Sequence, residues 1–108
     1  MAYIPYPYAA QEDRSGVRQP LAIPASLRPS GGRGFQTTLR DISVSGFSAN
    51  AVSRMMPGTL CWLTLPGMEA LHCEVVWWQG SVVGCAFMQL LNPIVLEARM
   101  ARWQEASA

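Results

Sequence analysis

The chain has 108 residues, half of them hydrophobic, which is enough for one domain with a modest core and too apolar for a chain disordered throughout. A formal net charge of +1 argues against nonspecific DNA binding, which needs a broad basic surface. No stretch is long and apolar enough to span a bilayer, and the first residues lack the basic leader and apolar segment of a signal peptide. These features predict a soluble, cytoplasmic, single-domain protein.

Residues 1–13 are predicted to form a flexible arm. Pro5 and Pro7 favour extended backbone, and tyrosines recur there without a helical period, at Tyr3, Tyr6 and Tyr8. The next segment, 14–18, reads Arg-Ser-Gly-Val-Arg and is predicted to be a loop because a glycine separates its two arginines. Two interpretations of the arm stay open: a disordered tail, or a segment whose tyrosines pack on a ligand or partner once the loop is ordered.

The remainder of the chain alternates apolar and polar residues in short runs, which is typical of half-buried strands. Pro20 directly precedes the first run and Pro24 falls within it; a missing amide donor suits a strand start or an edge. Turn residues separate the runs at intervals of roughly eight to twelve residues, a pattern that favours an antiparallel barrel. The predicted strands are 21–28, 35–42, 47–52, 59–65, 71–78 and 82–90.

Two tryptophans end the fifth predicted strand. Strict alternation places Trp77 on the same face as Cys73 and Val75, and Trp78 on the opposite, outer face with His72. Trp78 would then add to the apolar surface that needs cover.

Asn92 and Pro93 predict a helix start, with asparagine as the cap and proline in the first position, and the helix is expected to run to about Trp103. It carries two apolar stripes, one stripe more than the barrel needs. We expect the stripe containing Leu96, Met100 and Trp103 to be left over for a groove, a partner or a second subunit. The expected division is therefore an arm at 1–13, a domain at 14–104 and a tail at 105–108.

The cations and a polar cluster predict a binding site. All eight basic residues are arginines, five of them before Asp41, and arginine suits bidentate recognition of phosphate or guanine. Between the second and third strands the chain reads Asp-Ile-Ser-Val-Ser-Gly over 41–46. Short polar side chains and a glycine there favour a tight turn. If 14–18 meets this turn, guanidinium groups, a carboxylate and hydroxyls form one polar patch.

Arg14-x-x-x-Arg18 followed by Asp41-x-Ser43-x-x-Gly46 resembles the two motifs of the PilZ domain family, bacterial receptors for cyclic di-GMP. The run Val83-Gly84-Cys85-Ala86-Phe87 after Val75-Val76-Trp77 is similar to the last two strands of that family. The resemblance covers about residues 14–91 and implies a mainly β fold, a six-stranded antiparallel barrel with a C-terminal helix.

The resemblance also implies the ligand. Arg14 and Arg18 would clamp phosphate and guanine, and the turn with Asp41, Ser43 and Gly46 would hold the other base. Arginine donates bidentately to guanine O6 and N7, and a carboxylate accepts from donor edges of bases. Arg40 adjoins the second motif and is a further candidate, whereas Asp13 departs from the positive charge that many family members carry there.

Catalysis and metal binding are not expected. Cys61, Cys73 and Cys85 form no Cys-x-x-Cys pair, and His72 points away from its neighbour Cys73 on a strand, so neither a zinc site nor a Cys–His nucleophile fits. We expect the cysteines to be reduced core residues. The Gly-rich loop 31–34 lacks the Lys-Ser/Thr of a P-loop.

The expected function is a cyclic di-GMP receptor without enzymatic activity or cofactor, whose arginine loop orders on the ligand and alters a surface read by a downstream protein. The alternative is a barrel of the same kind that binds proteins and no nucleotide. No DNA and no membrane insertion are expected, and the C-terminal helix is a candidate for homodimerisation.

Overall fold

Six antiparallel strands and one helix make up the computed structural model, which describes residues 19–51 and 54–107. The strands alternate buried and exposed side chains, as the sequence pattern requires. Their bounds are β1 Gln19–Pro29, β2 Phe35–Ile42, β3 Gly46–Asn50, β4 Leu60–Thr64, β5 Leu71–Gln79 and β6 Val82–Phe87, and the helix α1 is Pro93–Ser107.

The sheet is a closed barrel in the order β1-β2-β3-β6-β5-β4. β4 returns to β1, so that Leu27 lies opposite both Phe35 of β2 and Leu63 of β4. This confirms the predicted six-stranded antiparallel barrel with a C-terminal helix. The predicted ends were less accurate, since β6 stops at Phe87 and α1 continues to Ser107.

The first half of β1 pairs with only one neighbouring strand, which explains why two prolines are tolerated there. β1 pairs with β2 from Gln19 onwards, but its pairing with β4 begins only at Ser26. Pro20 and Pro24 therefore lie where the strand has one ladder rather than two, and a missing amide donor costs least there.

The helix is capped as predicted. The side-chain Oδ1 of Asn92 accepts hydrogen bonds from the amides of Ile94 (2.8 Å) and Val95 (3.2 Å), and Pro93 fills the first helical position. These contacts satisfy two amides that have no partner within the helix. No helix in the described part of the chain is long and apolar enough to cross a membrane.

The expectation about which helical stripe is left over was wrong. Leu96 is 1% exposed, and Met100 and Trp103 are also buried in the core, whereas Ile94 is 77% exposed. The indole Nε1 of Trp103 donates to the carbonyl of Pro66, at 3.2 Å. The larger side chains pack on the barrel because they remove the most apolar area from water, while the opposite stripe of Ile94, Ala98 and Ala101 would remove less.

A bulge in β5 also overturns the predicted alternation. The register shifts between Val75 and Trp77, so that Trp77 lies opposite Gly84 of β6. Gly84 lies between the core residues Val83 and Cys85 and faces outward, and an ideal Cβ on it would be 2.1 Å from Trp77 Cε2. The indole of Trp77 therefore covers the outer face of Gly84 instead of entering the core.

Replacing the anchoring tryptophan should unseat the helix. We expect Trp103→Ala to lower the free energy of unfolding by about 3–5 kcal/mol, because a buried ring and its bond to Pro66 are lost. Ile94→Ala, on the exposed stripe, is the matched control and should change it by no more than about 0.5 kcal/mol. Urea denaturation followed by circular dichroism measures both, and equal losses would contradict the assignment of the buried stripe.

Candidate functional site

The second motif forms the connection between β2 and β3. The amide of Ser43 donates to the carbonyl of Gly46 at 2.8 Å, which closes the turn. The hydroxyl of Ser43 accepts from the amide of Ser45 and lies 3.2 Å from the Ser45 hydroxyl. Because Ser43 is 1% exposed, its hydroxyl acts inside the turn and holds the turn's shape.

The turn is fastened to the segment that follows β6. The amide of Phe87 donates to the carbonyl of Ser45 at 3.0 Å, and the amide of Leu91 donates to the carbonyl of Val44 at 2.9 Å. We call the segment 87–92, which comprises the last residue of β6 and its connection to α1, the linker. The position of the motif turn and that of the linker are thereby coupled through backbone hydrogen bonds.

Asp41 lies on the outer face of β2 because of a second bulge. The register between β2 and β3 shifts between Leu39 and Asp41, which places Asp41 opposite Ser48. The Ser48 hydroxyl donates to Asp41 Oδ2 at 3.0 Å. The Ser48 hydroxyl thereby fixes the orientation of the Asp41 carboxylate, which is half-exposed at the surface.

The other two candidates of this region have different surroundings. Gly46 is buried in strand conformation opposite Ala86, and it is not among the described glycines with positive φ, so a left-handed backbone is not the reason for glycine there. Arg40 is exposed, and its Nη1 donates to Asn50 Oδ1 at 3.3 Å. Asn50 ends β3 at the end opposite Gly46, so the guanidinium group of Arg40 is directed away from the turn.

Arg14 and Arg18 lie outside the described residues, but the strand that follows them is described. Gln19, the first residue of β1, pairs with Ile42, and Pro20 pairs with Asp41. The chain therefore enters the barrel one residue after Arg18, beside the residue that precedes Ser43.

A row of four residues crosses the outer face of the barrel next to this entry point. Asp41 of β2 is opposite Ser48 of β3, Ser48 is opposite Gly84 of β6, and Gly84 is opposite Trp77 of β5. We call this set the outer row. It combines the half-exposed carboxylate of Asp41, which the buried Ser48 hydroxyl orients, with an indole. A carboxylate can accept from a polar edge of a ligand, and an indole can contact a planar face.

The sequence patterns did not predict that Ser48 and Trp77 belong to the outer row. The signal that could have found Trp77 is Gly84, since a glycine inside an otherwise apolar strand often marks a bulge or a close approach of another group. Ser48 had no signal of its own, because its role depends on the register between β2 and β3.

The three cysteines lie inside the barrel as expected, all buried and free. Cys61 and Cys73 are cross-strand neighbours with their sulfur atoms 3.6 Å apart. Hydrogen bonding to Cys61, together with burial, raises the pKa of Cys73 and of Cys85. His72 stacks on Trp62 on the outer face, and no three His, Cys, Asp or Glu side chains among the described residues are placed so that they could hold a metal ion.

Comparison with known proteins agrees with this architecture. The family model for the PilZ domain matches residues 12–103, so the chain belongs to the PilZ domain family. PilZ domains are in general cyclic di-GMP receptor domains, regulatory rather than enzymatic.

A solved structure is also similar: the crystal structure of the PilZ domain of CeSA from a cellulose-synthesizing bacterium. It superposes with a TM-score of 0.57 at 16% identity, over 84% of this chain and 98% of the other. That likeness supports the fold. The curated proteins gave no match.

The contact between Gly84 and Trp77 can be tested by adding one methyl group. We expect Gly84→Ala to destabilise the protein by about 1–3 kcal/mol, because the new Cβ would overlap the indole. In a Trp77→Ala background the same substitution should cost much less. Chemical denaturation of the single and double variants gives the coupling energy, and additive effects would show that the ring does not lie on Gly84.

Proposed function

We propose that this protein is a cytoplasmic bacterial receptor for cyclic di-GMP, with Arg14, Arg18, Asp41, Ser43 and Gly46 forming the binding site. The observation that carries the proposal is the pairing of Gln19 with Ile42, which brings the chain just after Arg18 to the motif turn. Membership of the PilZ family adds the class of ligand.

Each part of the site has a partner on a cyclic dinucleotide with two guanines and two phosphates. The arginines supply bidentate donors to phosphate oxygens or to guanine O6 and N7. Asp41, oriented by Ser48, accepts from the donor edge of a guanine. Ser43 and Gly46 contribute by holding the turn, since both are buried. Arg40, drawn to Asn50, is a secondary candidate.

The alternative function is a PilZ-type module that binds another protein and no nucleotide. An apolar groove on the barrel, described below, gives this alternative a surface. The two functions are distinguished by calorimetric titration with cyclic di-GMP, because only the first predicts heat of binding.

The arginines should contribute separately to affinity. Arg14→Ala and Arg18→Ala should each weaken cyclic di-GMP binding by about 1–3 kcal/mol, or roughly 5- to 150-fold, because each removes a charge-assisted bidentate contact. Arg33→Ala is the matched control, since Arg33 is exposed between β1 and β2, at the barrel end opposite the motif turn, and should leave affinity unchanged. Isothermal titration calorimetry reports the affinities, and circular dichroism verifies the fold. Unchanged binding in both folded variants would place the nucleotide elsewhere.

The proposed output is the ordering of a segment. Residues 3–20 contain Gly16 between the two arginines, and a ligand held by both guanidinium groups would restrict this loop. We expect amide hydrogen exchange in 3–20 to slow when cyclic di-GMP is added, while the core strand β3 exchanges slowly in both states. Equal exchange of 3–20 with and without bound ligand would rule out this mechanism.

A further inference from the structure

An apolar groove runs along the outside of the barrel where it meets the helix. Its volume is about 550 Å³, and its walls are β4, β5, the linker 87–92 and the first turn of α1. The side chains that define it are Trp62, His72, Met88, Leu90, Leu91 and Val95. We call it the helix groove.

The helix groove exposes more apolar surface than an isolated surface residue would. Leu90 is 73% exposed, and Met88 and Val95 are about half exposed. Trp62 and His72 stack with their ring centroids 4.2 Å apart and form a flat aromatic wall. None of the lining residues is Asp, Glu, Lys or Arg, so the groove suits an uncharged, apolar and aromatic segment.

The chain itself contains a segment of that chemistry. Residues 1–10 carry no charged side chain, and 3–8 read Tyr-Ile-Pro-Tyr-Pro-Tyr. The prolines favour an extended conformation, so little backbone freedom is lost on docking. Tyrosine rings pack well in aromatic-lined grooves, as in the recognition of proline-rich peptides.

β1 begins at the end of the barrel that also carries part of the groove wall. Gln19 pairs with Ile42, which precedes the motif turn, and Val44 of that turn accepts a hydrogen bond from Leu91, a residue of the groove wall. The 11 residues from Tyr8 to Gln19 can span about 36 Å when extended, and the longest dimension of the described protein is 33 Å. The segment can therefore reach the groove with slack.

We propose that residues 3–8 dock in the helix groove of the same molecule. Tethering supports this, because a segment on a short linker has a local concentration of the order of millimolar, so weak contacts suffice. Docking would lead the chain between Tyr8 and Gln19 past the motif turn and restrict the arginine loop there. The docking does not require nucleotide, but it is partial in the free protein because its contacts are weak. A nucleotide that restricts the arginine loop would add to it, so exchange over 3–20 still slows when nucleotide is bound.

Methionine methyl groups report on the groove directly. Met68 and Met88 line it, whereas Met56 is 53% exposed and does not. In methyl-labelled full-length protein, replacing Tyr3, Tyr6 and Tyr8 by Ser should change the methyl shifts of Met68 and Met88, because the tyrosine contribution to their ring currents is lost, and should leave Met56 unchanged. The spectra are recorded without and with cyclic di-GMP, and calorimetry on the same samples reports nucleotide binding separately.

Two helix variants complete the test. Val95→Asp places a charge in the groove and should reproduce the effect of the tyrosine replacements on Met68 and Met88. Ile94→Asp, one residue earlier and outside the groove, should not. Both sites lie in the first turn of α1, where a carboxylate is tolerated.

The outcomes separate the possible occupants. If the methyl resonances of Met68 and Met88 are the same before and after the tyrosine replacements, both without and with cyclic di-GMP, the proposal is overturned, whether or not nucleotide binds. Shifts that depend on protein concentration, with a matching change in sedimentation, would assign the groove to a second copy and also overturn it. If no heat of binding is observed, only the receptor function is refuted. The docking is then judged from the methyl spectra recorded without nucleotide.

Discussion

The barrel is closed because β1 pairs with two neighbouring strands. β1 joins β2 along most of its length and β4 at its end, which closes the sheet. Closure pairs the backbone N–H and C=O groups that the edge strands of an open sheet would leave exposed. The pairing of β1 with β2 fixes where the described chain enters the barrel, at Gln19 opposite Ile42, one residue after Arg18.

Departures from regular pairing then shape the outer surface. Register shifts occur in β1 between Pro20 and Ile23, in β2 before Asp41, and in β5 before Trp77. A bulge leaves an extra residue and turns the following side chain to the other face. Asp41 meets Ser48 and Trp77 covers Gly84 for this reason, so irregular pairing and the outer row have a common origin.

Backbone hydrogen bonds connect the site to the surface where a partner or the arm would bind. The linker 87–92 donates to the motif turn at two amides and also forms a wall of the helix groove. A shift of the turn on ligand binding would therefore act on the groove wall through amides rather than through flexible side chains.

Local patterns were enough to predict the six strands, the helix cap and the two motifs, because alternation, capping chemistry and turn residues are local properties of the chain. Three features became visible only in the folded barrel: Leu96, Met100 and Trp103 face the barrel, the buried Ser43 hydroxyl stabilises the turn, and Trp77 lies outside. Each depends on which surface or strand register is opposite the residue. That choice is made by apolar area and pairing over the whole barrel, which no local pattern encodes.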